Sequence, residues 1–155
     1  MSSQNKSAHS YMSRAREHAL QFIYQCECER IYYFDAGSFE DFVQHFLLSP
    51  EVAAAASRMV ENMFARLPEI DSLIQASSNN WTIARMSVID RTLLRTACAE
   101  LLLKSTPERV VLNEAIELAK IYGSESSARF VNGVLDSVRK RIPAEGQPTA
   151  ATASK

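Results

Sequence analysis

Four glycines in 155 residues leave this chain little material for tight turns. A β-rich domain of the same length would need turn residues far more often. Apolar residues instead recur at spacings of three and four along almost the whole chain, which is the period of an α-helix. The fold class this predicts is all-α.

The helices can be placed one by one. Ala15, Ala19, Phe22, Ile23 and Cys26 fall on one stripe and predict a first helix from about Ser13 to Arg30. Asp35, Gly37 and Ser38 break it, and Phe39, Phe42, Val43 and Phe46 mark a short second helix. Ser49-Pro50-Glu51 reads as a helix start, with Ser as cap, Pro at the first helical position and Glu facing the positive end of the dipole. Val52, Ala56, Met59, Val60, Met63 and Leu67 follow at helical spacing. Pro68 ends that helix or restarts it through Ile70, Leu73 and Ile74. Ser77, Ser78, Asn79 and Asn80 read as a polar loop, which the single Trp, Trp81, is expected to plug onto the core.

Ser87 with Asp90 three residues on resembles a capping box. It opens the most apolar helix, carrying Ile89, Leu93, Leu94, Ala97, Cys98, Leu101 and Leu102, whose wide apolar face predicts a central position. Val111, Ala115, Leu118, Ala119 and Tyr122 define the next helix, stopped by Gly123. Phe130, Val131, Val134, Leu135, Val138 and Ile142 define the last. The sum is about seven helices in two packed helical bundles, residues 13–67 and 68–142, joined near Pro68. Residues 1–12 are expected to form a flexible basic arm. Residues 143–155, rich in Ala, Thr, Pro, Gly and Ser, are expected to be a disordered tail.

Composition narrows the function. An apolar share of 46% is enough to bury a core, and a net charge of −1 excludes a globally basic nucleic-acid binder while allowing a local basic patch. Three cysteines, an odd count without a secretion signal, point to reduced thiols inside a cell. The first ten residues lack an apolar signal core. Uninterrupted apolar runs such as Val52–Ala56 are far too short to span a bilayer. The expected setting is cytoplasmic, with no membrane partner.

Catalytic patterns are missing. Cys26 and Cys28 could be half a metal site, but no second pair completes it, and residues two apart on a helix point about 200° apart. His9, His18 and His45 are scattered. Glu114 and Glu117, three apart, read as a solvated helix face, and no glycine-rich phosphate loop occurs. Neither an enzyme nor a metal or cofactor site is expected.

Two features ask for a reason. Arg14 and Arg16 open the first helix, where cations oppose the macrodipole; phosphate contact would supply one. Gly133 lies inside the last helix at a cost of about 1 kcal/mol relative to Ala, which predicts close approach of another helix backbone. Asn132 beside it is expected to bond a neighbouring loop.

The run VLNEAIELAKIYG from Val111 to Gly123, followed by SARFVNGVLD from Ser127 to Asp136, closely resembles the NusB family. Three further segments agree in order: RAREHALQFIYQ from Arg14 to Gln25, Trp81 with the DRTLLR run from Asp90 to Arg95 and Glu100-Leu101, and Pro107 before the signature helix. The resemblance spans about Arg14 to Ile142.

What the resemblance implies is an antitermination factor built from two helical bundles. Such proteins bind boxA RNA of nascent ribosomal transcripts together with NusE, a small-subunit ribosomal protein, and join other Nus factors on RNA polymerase. Carried over by position, the implied RNA contacts are Lys6, Arg14, Arg16, Arg95, Ser126, Arg129 and Phe130, with Phe130 suited to stack on an unpaired base or to pack in the core. The implied NusE contacts are Tyr24 and Asp90, the latter also a helix cap. The family's opening arginine run is denser than this one, which Ser13 interrupts. Fewer cations release fewer counterions, so the expectation is weak RNA binding alone and a need for NusE. Monomer and homodimer both stay open. Two rivals remain: a NusE-binding module with little RNA affinity, and a fragment of an RNA cytosine methyltransferase, which would need a Rossmann-type domain beyond Lys155.

Overall fold

The structure, a computed structural model, describes residues 3–143, with side chains from Tyr11 onward. Among the described residues there are seven α-helices and no strand: α1 (Ser3–Cys28), α2 (Ala36–Phe46), α3 (Pro50–Ala65), α4 (Leu67–Ser77), α5 (Val88–Leu103), α6 (Glu108–Tyr122) and α7 (Ser127–Arg141). A 3-10 turn, Ile83–Arg85, sits between α4 and α5.

Local chemistry sets most of the boundaries. The Asp35 side chain accepts from the Gly37 amide and starts α2. Ser49 accepts from the Val52 amide with Pro50 in the first turn, as its sequence predicts. Ser87 accepts from the Asp90 amide at 3.1 Å and opens α5. Pro68 restarts the chain: α3 stops at Ala65, and α4 begins at Leu67 with proline in its first turn, where its missing N–H has no partner to lose.

Helix α1 starts ten residues before the expected Ser13, so the backbone of residues 3–12, expected as an arm, is helical. The Lys6 side chain and residues 144–155 lie outside the described residues.

α1 packs on α3 and α5, α6 pairs with α7, and α4 lies on α5 and α7. The expected division at Pro68 falls between α1–α3 and α4–α7. α2 is fixed to α1 by aromatic edges, with the Phe22 ring 5.1 Å from Phe39 and 5.3 Å from Phe42. α5 touches helices of both bundles, so their apolar interiors merge into one core containing Leu20, Val60, Ile70, Leu94 and Leu135. Each such side chain contributes about 1.5–3 kcal/mol by leaving water.

The glycines depart from expectation. Gly133 has nothing within 4 Å of where a Cβ would stand, so no other helix approaches it. Its neighbour Asn132 is exposed and bonds no loop among the described residues. The tight place is Gly123. Its backbone is extended (φ −91°, ψ −176°) rather than left-handed, so conformational freedom is not the reason for glycine there. An added Cβ would lie 2.8 Å from the Ala119 carbonyl oxygen and 2.5 Å from Ser127 Cβ. That closeness lets the Ser127 hydroxyl accept from the Ser124 amide at 2.9 Å and turn the chain into α7.

Candidate nucleic-acid and partner interface

The site residues named from sequence separate into three groups in space. In the first, α1 crosses α5 with opposite chain direction. Arg16 on α1 meets Glu100 near the end of α5, and Glu27 at the other end of α1 meets Arg91 and Arg95 near the start of α5.

Arg16 is 8% exposed. Its guanidinium forks onto Glu100, with Nε to Oε1 at 2.9 Å and Nη2 to Oε2 at 2.7 Å, and Glu114 stands 3.8 Å away. Burial works against the charge, but the Glu100 hydrogen bond and the charges of Glu100 and Glu114 outweigh it and hold the Arg16 pKa above its ordinary value. The pair lines a cleft of about 740 Å³ between α1, α3, α5 and α6. The reason for a cation in this part of α1 is therefore internal. Glu114, expected on a solvated face, is drawn into the same junction, where it accepts from Ser13 Oγ at 2.8 Å.

Arg95 is held in the same way. It forks onto Asp71 of α4, Nε to Oδ1 at 2.9 Å and Nη2 to Oδ2 at 3.0 Å, and its Nη1 reaches Glu27 at 3.2 Å. Burial lowers its pKa less than Asp71 and Glu27 together raise it. Arg91 shares Glu27 and donates to the carbonyls of Ile83 and Met86 at 3.2 and 3.1 Å, pinning the 3-10 turn. Both Arg16 and Arg95 thus lie inside the protein, away from the surface on which an RNA contact would need them. Sequence reasoning missed Glu27, Asp71 and Glu100 as their partners. The available signal was that Arg95 follows Leu94 and Glu100 precedes Leu101 inside the most apolar helix, where a charge needs a counter-charge.

The second group is Tyr24 and Asp90. Tyr24 is 41% exposed, one turn before Glu27. Asp90 adjoins Arg91, so the Glu27–Arg91 pair draws the two segments together. The Asp90 amide takes the Ser87 cap, while its carboxylate Oδ1 is buried with no hydrogen-bond partner among the described residues. Only one half of the expected capping box is thus formed.

The third group surrounds the start of α7. Ser126 and Arg129 are exposed and Phe130 is partly buried against the core. Trp81 departs from its expected role as a plug: it is 53% exposed, with its ring edge-on to Phe130 at 6.2 Å. Met86, 6% exposed, does the plugging instead. α6, whose end leads into this group, is tied to α1 by side-chain bonds. Ser13 bonds Glu114 at one end, and Tyr122 bonds Gln21 and Glu17 at the other. Arg14 is exposed, without an ionic or hydrogen-bonded partner among the described residues. It lies about 10 Å along α1 from the Gln21–Tyr122 contact at 1.5 Å per residue.

Two of the three cysteines are interior. Burial first, with Glu29 and Asp35 second, pushes the Cys26 thiol up to about 11, and burial pushes Cys98 up to about 12. Cys28 is exposed on the opposite side of α1. Among the described residues no group of three or more His, Cys, Asp and Glu could hold a metal, and no helix is long and apolar enough to cross a membrane.

The fold and these surfaces define an all-helical, two-bundle protein that presents exposed arginines and aromatics beside a buried ionic framework. The NusB family model matches residues 13–140, and the chain belongs to that family. It is 42% identical over 139 residues to the transcription antitermination protein NusB of Anaeromyxobacter dehalogenans, covering 86% of this chain and 94% of the relative. The solved structure of T. maritima NusB superposes with a TM-score of 0.75 at 33% identity, covering 86% of this chain and 94% of that one. A structure of the antitermination factors NusB and NusE in complex with double-stranded RNA superposes with a TM-score of 0.75 at 28% identity, covering 84% and 97%.

Proposed function

We propose that this protein is a transcription antitermination factor that binds boxA RNA of nascent ribosomal transcripts together with NusE, within a Nus-factor complex on RNA polymerase. Family membership over residues 13–140 is the observation that carries this reading. It acts by binding and not by catalysis, in the cytoplasm where transcription occurs. Arg14, Arg129 and Ser126 are the RNA-facing candidates, joined by Lys6 and by the aromatic residue Phe130. Tyr24 and Asp90 are the NusE-facing candidates. The orphaned Asp90 oxygen supports this assignment, because a buried acceptor without a partner is stabilised when a donor arrives. Arg16 and Arg95 serve the interface by fixing the helices that carry it.

Burial of these two arginines favours one alternative, a NusE-binding module with little RNA affinity of its own. Filter binding of boxA RNA with and without NusE separates the readings. The expected result is weak binding alone and tight binding by the pair. Nanomolar binding by the lone protein at physiological salt would overturn the need for NusE. Unchanged binding by the pair after Arg14→Ala with Arg129→Ala would leave the interaction-module reading standing.

A further inference from the structure

Trp81 is the single tryptophan of the chain, and the fold does not use it as core. It sits in the loop between α4 and the 3-10 turn, 53% exposed. The loop is nonetheless held firmly. The Trp81 amide donates to the Ser78 carbonyl at 2.7 Å, and the Trp81 carbonyl accepts from Ser78 Oγ at 3.0 Å and from Gln75 Nε2 at 3.1 Å. Gln75 Oε1 accepts from the Ile83 amide at 3.1 Å and closes the loop from the far side. These bonds order the backbone of a residue whose side chain stays outside. Phe130 then fixes the ring: its centroid is 6.2 Å from the indole with the planes 72° apart, the edge-to-face arrangement aromatic pairs prefer.

The arginines adjoining Trp81 and Phe130 in the chain point to a ligand. Arg85 in the 3-10 turn and Arg129, next to Phe130, are exposed, and neither has an ionic or hydrogen-bonded partner among the described residues. One turn beyond Phe130, Gly133 carries no side chain and faces open space. An indole set edge-on to Phe130, with one exposed arginine four residues along the chain at Arg85 and another next to Phe130 at Arg129, matches how single-stranded nucleic acid is held: a base stacks on an aromatic face while cations follow the backbone.

We propose that Trp81 is the base-stacking residue for an unpaired nucleotide of the bound RNA, that Phe130 is a positioning residue holding the indole edge-on, and that Arg85 and Arg129 neutralise the adjoining phosphates. This rests on the RNA-binding reading above and deepens it by naming the stacking surface, which sequence resemblance had assigned to Phe130.

The test uses the full chain with NusE and a single-stranded boxA RNA of about 12 nucleotides. Trp81 fluorescence is isolated by subtracting the spectrum of the Trp81→Phe complex. It is expected to be quenched by this RNA and not by the same sequence as a duplex. Trp81→Ala should weaken RNA binding by about tenfold, with Trp81→Phe retaining most of the affinity because every aromatic face stacks. Phe130→Leu, which keeps the packing, should fall between them. Helical content and Tm of the Trp81 variants should stay at the parent value, and affinity for NusE without RNA should not change. RNA binding by the parent with no quenching and an unaltered Trp81→Ala affinity would overturn the stacking role alone. Loss of NusE affinity in Trp81→Ala would overturn it in favour of a protein contact. A parent complex that binds no RNA would overturn the underlying reading as well, and is recognised because no variant then differs from it.

Discussion

Arg14 and Arg16 stand two residues apart on α1, and the helix turns them about 200° from each other. Arg14 is exposed and unpaired among the described residues; Arg16 is 8% exposed and forks onto Glu100 at 2.7 Å. The contrast repeats on the second bundle. Arg85 and Arg129 are exposed and unpaired among the described residues, while Arg91 and Arg95 share Glu27, and Arg95 also holds Asp71. One residue type thus does two jobs, and which job depends on what lies across the helix. Where α5 or α4 presents a carboxylate to a buried guanidinium, the arginine joins helices. Where none does among the described residues, the cation stays in solvent.

The largest test of this division is Arg16→Ala. It leaves Glu100 buried without its counter-charge and should cost about 3–5 kcal/mol of unfolding free energy in urea. Replacing both partners, Arg16→Met with Glu100→Met, should recover much of that loss. A single-variant cost below about 0.5 kcal/mol, as expected of an ordinary surface position, would mean that Arg16 belongs with Arg14.

Gly123→Ala comes next. Its Cβ would press on the Ala119 carbonyl oxygen and on Ser127, so a loss of about 1–3 kcal/mol is expected. An unchanged midpoint would show that the α6–α7 turn gives way.

The cysteines extend the buried-versus-exposed comparison to alkaline pH. The Cys26 and Cys98 thiols, at about 11 and about 12 against an ordinary 9.0, are raised in the fold. Above pH 9 the unfolded chain releases these protons first, which stabilises the unfolded state relative to the native one. Stability is fully present below about pH 9 and falls through the range up to the folded values, by at most about 1.4 kcal/mol per pH unit for each thiol. Urea midpoints at pH 8 and 10 measure it. At pH 8 iodoacetamide should modify Cys28 alone, read by mass spectrometry, and rapid labelling of Cys98 would contradict its burial.

Gly133→Ala should act in the opposite direction to Gly123→Ala. With open space around the new methyl group, helix propensity alone predicts a gain of about 1 kcal/mol. A loss would reveal an approach to this face that the fold does not show.

The smallest effect on folding belongs to Arg14→Ala, within about 0.5 kcal/mol of the parent. Its signature is in binding. In the NusE complex the slope of log affinity against log salt should fall by about one, as for one lost phosphate contact. An unchanged slope would remove Arg14 from the RNA surface.

How far the sequence reached can be judged on particular residues. Ser49-Pro50-Glu51 and Ser87 mark their helix starts because caps act within one turn, and the apolar face of α5 announced its central place. The family signature from Val111 to Asp136 was readable for the same reason, being contiguous. Gly133 and Trp81 were misplaced. Periodicity says which residues share a face, but not whether another element arrives to cover it. Arg16 and Arg95 carried no local mark of their partners, because Glu100 lies 84 positions from Arg16 and Asp71 lies 24 from Arg95.

The sequence by itself therefore determined the all-helical class, most helix starts and the family, since each depends on interactions spanning a few residues or on a continuous pattern. Only the tertiary structure decided which arginines are buried in ion pairs and which are exposed, that Gly123 and not Gly133 is the tight glycine, and that the indole of Trp81 stands outside against Phe130. These outcomes depend on how α1, α5 and α7 cross. A buried charge must find its counter-charge across such a crossing, whatever the distance along the chain.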